Sequence, residues 1–265
     1  MSALTQGLNS QQLAAVKHEG SPLLVVAGAG SGKTRVLTRR IAYLLAERSV
    51  APFEVLAITF TNKAAGEMKE RVAQLVGDRA KVMWVSTFHS ACVRILRREA
   101  SLLGYSNSFT IYDQSDCLRL INIVMKDLNL DVKKYAPRAV AALISQAKNE
   151  LLGPVDYLNQ SKDHFQEIVA QVFAIYQKRL SSANSMDFDD LIAKTVEVMQ
   201  RHPEVRAKYR SRFKHILVDE YQDTNHAQYV LIKELVGNER DGISPAELCV
   251  VGDADQSIYA FRGAN

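Results

Sequence analysis

The segment Ala27-Gly28-Ala29-Gly30-Ser31-Gly32-Lys33-Thr34 constrains this chain more than any other. It follows a short apolar run, residues 23–27, and leads into residues 34–47, where Val36, Leu37, Ile41, Leu44 and Leu45 recur near helical spacing. Strand, glycine-rich loop and helix in that order make a phosphate site. The glycines let backbone N–H groups turn inward around an anion, and the helix N-terminus adds partial positive charge. Lys33 is then placed to reach the β and γ phosphates of a nucleotide, and the Thr34 hydroxyl to ligand Mg²⁺. The common form of this loop begins with Gly, whereas Ala27 stands here. A flexible Gly/Ser turn is the alternative reading; the Gly-Lys-Thr end between strand and helix favours phosphate.

Further apolar runs at 55–59, 216–218 and 248–251 are rich in Val, Ile and Leu, as suits strands of a parallel sheet buried on both faces. A helix after Thr61 is suggested by Ala64, Met68, Val72 and Leu75, and residues 82–85 read as another strand. This is α/β order, βαβ repeated. From residue 112 to 185 the pattern becomes amphipathic and helical, with Gly153-Pro154 and a polar stretch at 159–163 as separators. The expected organisation is a parallel α/β domain over 1–111 and 186–265, interrupted by a helical insertion at 112–185.

Two later strand ends carry chemistry. Asp219 and Glu220 close the run 216–218, where two acids are costly to bury without a cation. With a phosphate loop upstream, Asp219 becomes a candidate Mg²⁺ ligand with Thr34, and Glu220 a candidate base for the water attacking the γ phosphate. Alone, such a pair is a solvated strand end. Gln256, after the run 248–251, is neutral and able to donate to a γ-phosphate oxygen or to the water. The bland reading is a surface glutamine; its place in a third strand-end loop favours a sensor of the γ phosphate.

Composition narrows the class only a little. With 33 basic and 29 acidic residues among 265, a net charge of +4 permits a polyanionic partner without demanding one. Cys92, Cys117 and Cys249 are odd in number and far apart, which suggests neither a disulfide framework nor a zinc cluster and fits a reducing cytoplasm. No apolar run reaches the roughly 20 residues that span a bilayer, and the start lacks a secretory pattern.

The ordered motifs resemble those of the superfamily 1 DNA helicases of the UvrD, PcrA and Rep type, along the whole chain. Leu8-Asn9-Ser10-Gln11-Gln12 is similar to that family's adenine-reading element, and residues 27–34 to its phosphate loop, Ala27 included. Thr59-Phe60-Thr61-Asn62-Lys63 and Thr87-Phe88-His89-Ser90 are similar to its next two motifs. Asp219-Glu220-Tyr221-Gln222-Asp223 is similar to motif II, and the segment from Gly252 to Gly263 to motif III. The resemblance implies a RecA-like parallel sheet of the P-loop NTPase kind interrupted by a helical subdomain, with ATP and Mg²⁺ as cofactors. It implies that Gln12 reads adenine, that Arg35 lies beside the nucleotide, and that Gln256 couples the γ phosphate to DNA.

It further implies single-stranded DNA contacts from Phe60, Asn62, His89, Tyr259, Phe261 and Arg262. Aromatic stacking of about 1 to 3 kcal/mol per base without sequence preference suits a translocating motor. Phe261 departs from the Trp that relatives often carry, leaving a smaller stacking face. The residues alone favour a core role for Phe60, and helix-start roles for Asp187, Asp189 and Asp190; basic stretches such as Arg94, Arg97 and Arg98 read as solvated faces. The implied activity is ATP-driven 3′ to 5′ translocation and unwinding in repair or replication. Its partners are single strands, single-strand/duplex junctions and repair or replication proteins, without a membrane, and its state a monomer or else a dimer. Because the sequence ends after motif III, the second motor lobe and its arginines are expected to be absent, slowing hydrolysis by about 10³ to 10⁵. An ATP-gated DNA-binding module without turnover, and the motor part of a helicase-nuclease related to RecB or AddA, are the alternatives.

Overall fold

The structure, a computed structural model, describes residues 4–28 and 30–253. The chain begins with α1 (Ser10–Lys17), β1 (Leu23–Val26), α2 (Lys33–Ala46), β2 (Val55–Thr59), α3 (Asn62–Val76), β3 (Trp84–Thr87) and α4 (Phe88–Glu99). It continues with β4 (Thr110–Ile111), α5 (Gln114–Asp127), α6 (Pro137–Asn149), α7 (Pro154–Asn159), α8 (His164–Ser182), β5 (Ser185–Met186) and α9 (Phe188–Arg201). The last elements are α10 (Pro203–Arg212), β6 (His215–Val218), α11 (His226–Val236) and β7 (Glu247–Gly252). The described residues fall into two compact units, one built from 4–91, 202–224 and 232–253, the other from 92–201 and 225–231.

The first unit holds a five-stranded parallel sheet in the order β1-β7-β6-β2-β3. The late strands β6 and β7 therefore lie between β1 and β2, so three loops separated widely in sequence leave neighbouring strands at one edge. Continuous apolar runs suit the central strands, which are covered on both faces, while at the edge β1 turns Leu24 and Val26 outward, 62% and 60% exposed. All five residues of β2 and all four of β6 are buried. Leu37, Ile41 and Leu45 of α2 meet Met68 and Val72 of α3 over Val55, Leu217 and Val251 of the sheet. Each fully buried aliphatic side chain of this kind contributes about 1.5 to 3 kcal/mol. Helix α3 starts where Thr61 Oγ1 accepts the Ala64 N–H at 3.1 Å, an N-cap.

One strand boundary differs from the sequence reading. The strand expected at 82–85 starts only at Trp84, because Gly77–Val82 winds into a 3₁₀ helix and Met83 N–H donates to Ala80 O. Hydrophobic alternation does not distinguish such a turn from a strand start.

The second unit packs α5, α6 and α8 around Ile121, Val124, Val140, Ile144, Val169 and Phe173. It also contains a parallel pair, β4 with β5, that the sequence does not announce; each strand has two residues, too few for a readable period. Its polar centre is Lys148, which is 4% exposed and reaches Asp187 at 2.6 Å and Asp190 at 2.9 Å. Asp187 and Asp190 also cap α9 reciprocally: Asp190 N–H donates to Asp187 Oδ1 at 2.8 Å and Asp187 N–H to Asp190 Oδ2 at 3.2 Å. Tyr176 donates its hydroxyl to Asp187 at 2.9 Å. Burial alone would raise the Asp187 carboxyl, but Lys148 overrides it and holds the group below the ordinary carboxylate range.

Removing one partner of a buried ion pair leaves a charge with neither water nor counter-ion. Lys148→Met is therefore expected to destabilise the protein by about 3 to 5 kcal/mol in urea denaturation. Lys81→Ala, which breaks an exposed pair with Asp78, should leave the midpoint unchanged.

Candidate functional site

The site lies where β1, β7 and β6 end side by side. The ladder carries past the strands themselves: Ala27 N–H donates to Gly252 O at 3.1 Å, and Asp219 N–H to Ile58 O at 3.0 Å. Beyond β1 the chain turns through Gly28 and Gly30 into α2, with Gly32 as its N-cap residue at φ +87°. A side chain there would be strained by that left-handed backbone, and its Cβ would come 3.1 Å from Gln12 Nε2. Lys33 and Thr34 follow as the first residues of α2, both half-buried. The candidate phosphate residues that fall among the described ones, Ala27, Gly28, Gly30, Ser31, Gly32, Lys33 and Thr34, thus form one strand-to-helix loop; Ala29 lies outside the described residues.

Lys33 is held by two acceptors. Its Nζ donates to Ala27 O at 2.9 Å and to Asp253 Oδ2 at 2.9 Å, and Asp253 is 2% exposed. Asp253 directly follows β7, so the phosphate-loop lysine reaches the next strand's end. Asp253 N–H donates to Gln222 Oε1 at 3.0 Å, while Gln222 Nε2 donates to Glu220 Oε2 at 2.8 Å. A Cβ on Gly252 would fall 2.9 Å from Gln222 Oε1, so any other residue there would push the end of this side chain from its place between the two strand ends. A chain of contacts thereby joins Lys33, Asp253, Gln222 and Glu220.

Glu220 itself adopts φ +49°, a left-handed conformation that a non-glycine residue takes at a cost of about 1 kcal/mol. Such strain concentrates where a turn must aim functional groups. Its N–H donates to Asp219 Oδ1 at 3.1 Å. Asp219 is 6% exposed, and its carboxyl is pushed up to about 6, first by burial and then by the charge of Glu220, with Lys33 acting in the opposite sense. A carboxylate in that environment gains from a cation. Among the described residues there is no group of three or more His, Cys, Asp or Glu side chains able to hold a metal. A Mg²⁺ held by one carboxylate, one hydroxyl and the phosphates themselves needs no such group, and Asp219 with Thr34 fits that donor set.

Gln12 sits beside the loop. Asn9 caps α1 by accepting Gln12 N–H at 2.8 Å, Gln12 Oε1 accepts Asn9 N–H at 3.1 Å, and Gln12 Nε2 donates to Ser31 O at 3.0 Å. Arg35 is exposed, its guanidinium against Gly7. Phe60 is half-buried and meets Phe88 edge to face, centroids 5.6 Å apart at 72°. Asn62 is exposed at the start of α3, and His89 is half-buried in the first turn of α4. Gln256, Tyr259, Phe261 and Arg262 lie outside the described residues.

The sequence reading assigned no role to Asp253 or Gln222. The available signal was positional, since Asp253 follows an apolar strand as Ala27 and Asp219 do. For Gln222 the available signal was its place in the segment that resembles motif II, which by itself names no contact for it.

Residues 8–265 match the family described as the UvrD/REP helicase N-terminal domain. Among similar proteins, the ATP-dependent DNA helicase UvrD1 of Mycobacterium tuberculosis is 62% identical over 266 residues, covering 98% of this chain and 34% of that protein. UvrD1 of Mycobacterium leprae is 60% identical over 270 residues, covering 98% and 35%. The ATP-dependent DNA helicase PcrA of Staphylococcus aureus is 54% identical over 265 residues, covering 100% and 36%. The chain thus spans about a third of the length of these relatives. With strand-end loops of the required chemistry on one sheet edge and the family match running from residue 8 to 265, this chain belongs to the UvrD/REP helicase N-terminal domain family.

Proposed function

We propose that this chain is the ATP-binding part of a DNA helicase motor, hydrolysing ATP with Mg²⁺ to drive 3′ to 5′ movement along single-stranded DNA. The observation that carries the reading is the contact chain from Lys33 through Asp253 and Gln222 to Glu220 across adjacent strand ends. Phosphates entering the loop draw Lys33 from Asp253, since both are anionic acceptors for one ammonium. Thr34 and Asp219 would hold Mg²⁺. Bound there, the ion would neutralise charge on the β and γ oxygens. Glu220 orients the attacking water and accepts its proton, and Gln222 steadies the Glu220 carboxylate. Residues 27–34 supply backbone N–H groups to the phosphates, Gln12 reads the base, Arg35 lies beside the nucleotide, and Gln256 senses the γ phosphate.

The first unit serves as the motor lobe and the second as its helical insertion. Phe60, Asn62 and His89, together with Tyr259, Phe261 and Arg262, form the single-strand path. Support for DNA as partner comes from the relatives' names as DNA helicases, and from the half-exposed aromatic Phe60 that base stacking requires. Repair or replication at strand junctions in the cytoplasm is the setting that best suits such a motor. Among the described residues no helix is long and apolar enough to cross a membrane.

The test is ATP hydrolysis with and without single-stranded DNA. The expected result is DNA-stimulated turnover that Glu220→Gln lowers by about 10²- to 10⁴-fold, the range for a general base, while Mg²⁺-dependent ATP binding persists. Lys33→Ala should lose the binding itself. Retained binding with no turnover in the unaltered chain would mean an incomplete catalytic site; the same result in the full-length protein would replace the motor reading by an ATP-gated DNA-binding module. Gly32→Ala should weaken ATP binding and cost about 1 to 2 kcal/mol of stability in a thermal melt, because its Cβ meets Gln12 on a left-handed backbone.

A further inference from the structure

Helix α1 carries Gln12, yet little holds it. It has 8 residues, and Val16 is its one buried side chain. A helix shorter than about 12 residues is marginal in water and takes its position from tertiary contacts. At its N-terminal end those contacts are the Asn9–Gln12 capping box and the Gln12 bond to Ser31. At its C-terminal end the contact is Arg40.

Arg40 projects from α2 and is 2% exposed. Its Nη1 donates to Ala15 O at 3.0 Å, Val16 O at 3.3 Å and His18 O at 2.8 Å. Ala15 O and Val16 O are among the last carbonyls of α1 and His18 O belongs to its C-cap residue, groups that no intrahelical donor can satisfy. A cation also suits the negative end of a helix dipole. On its other side Nη2 faces Glu247 Oε2 at 3.5 Å, and Glu247 is fixed by a two-pronged bond from Arg48, 2.8 Å on each oxygen. The clamp is anchored to β7 as well as to α2. Burial without a full counter-ion lowers the Arg40 pKa, so the guanidinium is kept there against a desolvation cost.

We propose that Arg40 is a positioning residue for base selectivity: it fixes α1 so that Gln12 meets the nucleotide base, while the phosphate grip at the start of the same helix does not depend on it. This rests on the nucleotide reading above. The two roles separate because α2 stays seated through Val36, Leu37, Ile41, Leu44 and Leu45, all buried, whatever occupies position 40. Lys33 and Thr34 therefore keep their place when the clamp is removed. Helix α1, with Val16 as its one fully buried side chain, does not.

Calorimetric titrations of the full chain with MgATP, MgGTP and magnesium tripolyphosphate test this. The unaltered chain should prefer ATP over GTP and bind tripolyphosphate through the loop alone. Arg40→Met should lower ATP affinity about tenfold, towards that for GTP, as expected for losing a buried hydrogen bond to the base. Tripolyphosphate affinity should not change. Adding Arg40→Met to Gln12→Ala should cost no further ATP affinity, since both act through one contact. If Arg40→Met fails to fold, Arg40→Lys carries the same test, because one ammonium cannot replace the planar fork spanning three carbonyls and Glu247. Equal losses for ATP and tripolyphosphate, or an unchanged ATP/GTP ratio, would overturn the proposal. An unaltered chain that binds neither ATP nor tripolyphosphate would overturn the nucleotide reading and the selectivity role with it.

Discussion

Parallel backbone pairing of β1, β7 and β6 places three loops on one edge of the sheet, and the rest of the structure depends on that register. Val26 aligns with Gly252 across the first pair and Val218 with Val250 across the second. Side chains leaving the strands one residue later are brought within reach of one another: Ala27 and its loop, Asp253, and Asp219 with Glu220. The core beneath is ordinary close-packed aliphatic contact, and its task is to hold the register. The central strands β2 and β6, buried on both faces, tolerate no slip, because each of their residues packs on one side or the other, whereas the edge strand β1 leaves Leu24 and Val26 exposed.

Polar groups do the fine positioning in both units, and they do so while buried. In the first unit Arg40, Asp219 and Asp253 are each at most 6% exposed; in the second Lys148, Asp187 and Asp190 are. The second unit's cluster is closed, with a cation between two carboxylates and a helix cap made from the same carboxylates, so it fixes the start of α9. The first unit's cluster is open by comparison. Asp219 keeps a raised pKa in spite of Lys33, and Lys33 shares its donors between a carbonyl and a carboxylate that phosphate can displace. That difference separates a structural ion cluster from the open one on which the proposed nucleotide and metal site rests.

The phosphate loop was legible because its chemistry is contiguous: glycines, lysine and threonine sit within eight residues between a strand and a helix. The strand end at Asp219 and Glu220 was legible because a continuous apolar run stops at two acids; the structure buries Asp219 and leaves Glu220 half-buried. The helix-start reading of Asp187 and Asp190 was legible for the same local reason, whereas their partner Lys148, 39 positions away from Asp187, was not. The strand start at Trp84 and the two-residue strands β4 and β5 were misread or missed because short segments carry no period.

The sequence by itself determined the parallel α/β order, the glycine-rich loop between strand and helix, and the residue types from which a phosphate and Mg²⁺ site is proposed, since each rests on neighbours along the chain. Only the tertiary structure decided which strands stand side by side, that Lys33 rests on Asp253 from 220 positions away, that Gln222 bridges two strand ends, and that Arg40 clamps α1. The physical reason is range. Local periodicity and turn chemistry act over a few residues, whereas strand order and buried polar pairing depend on contacts between segments that are distant in sequence.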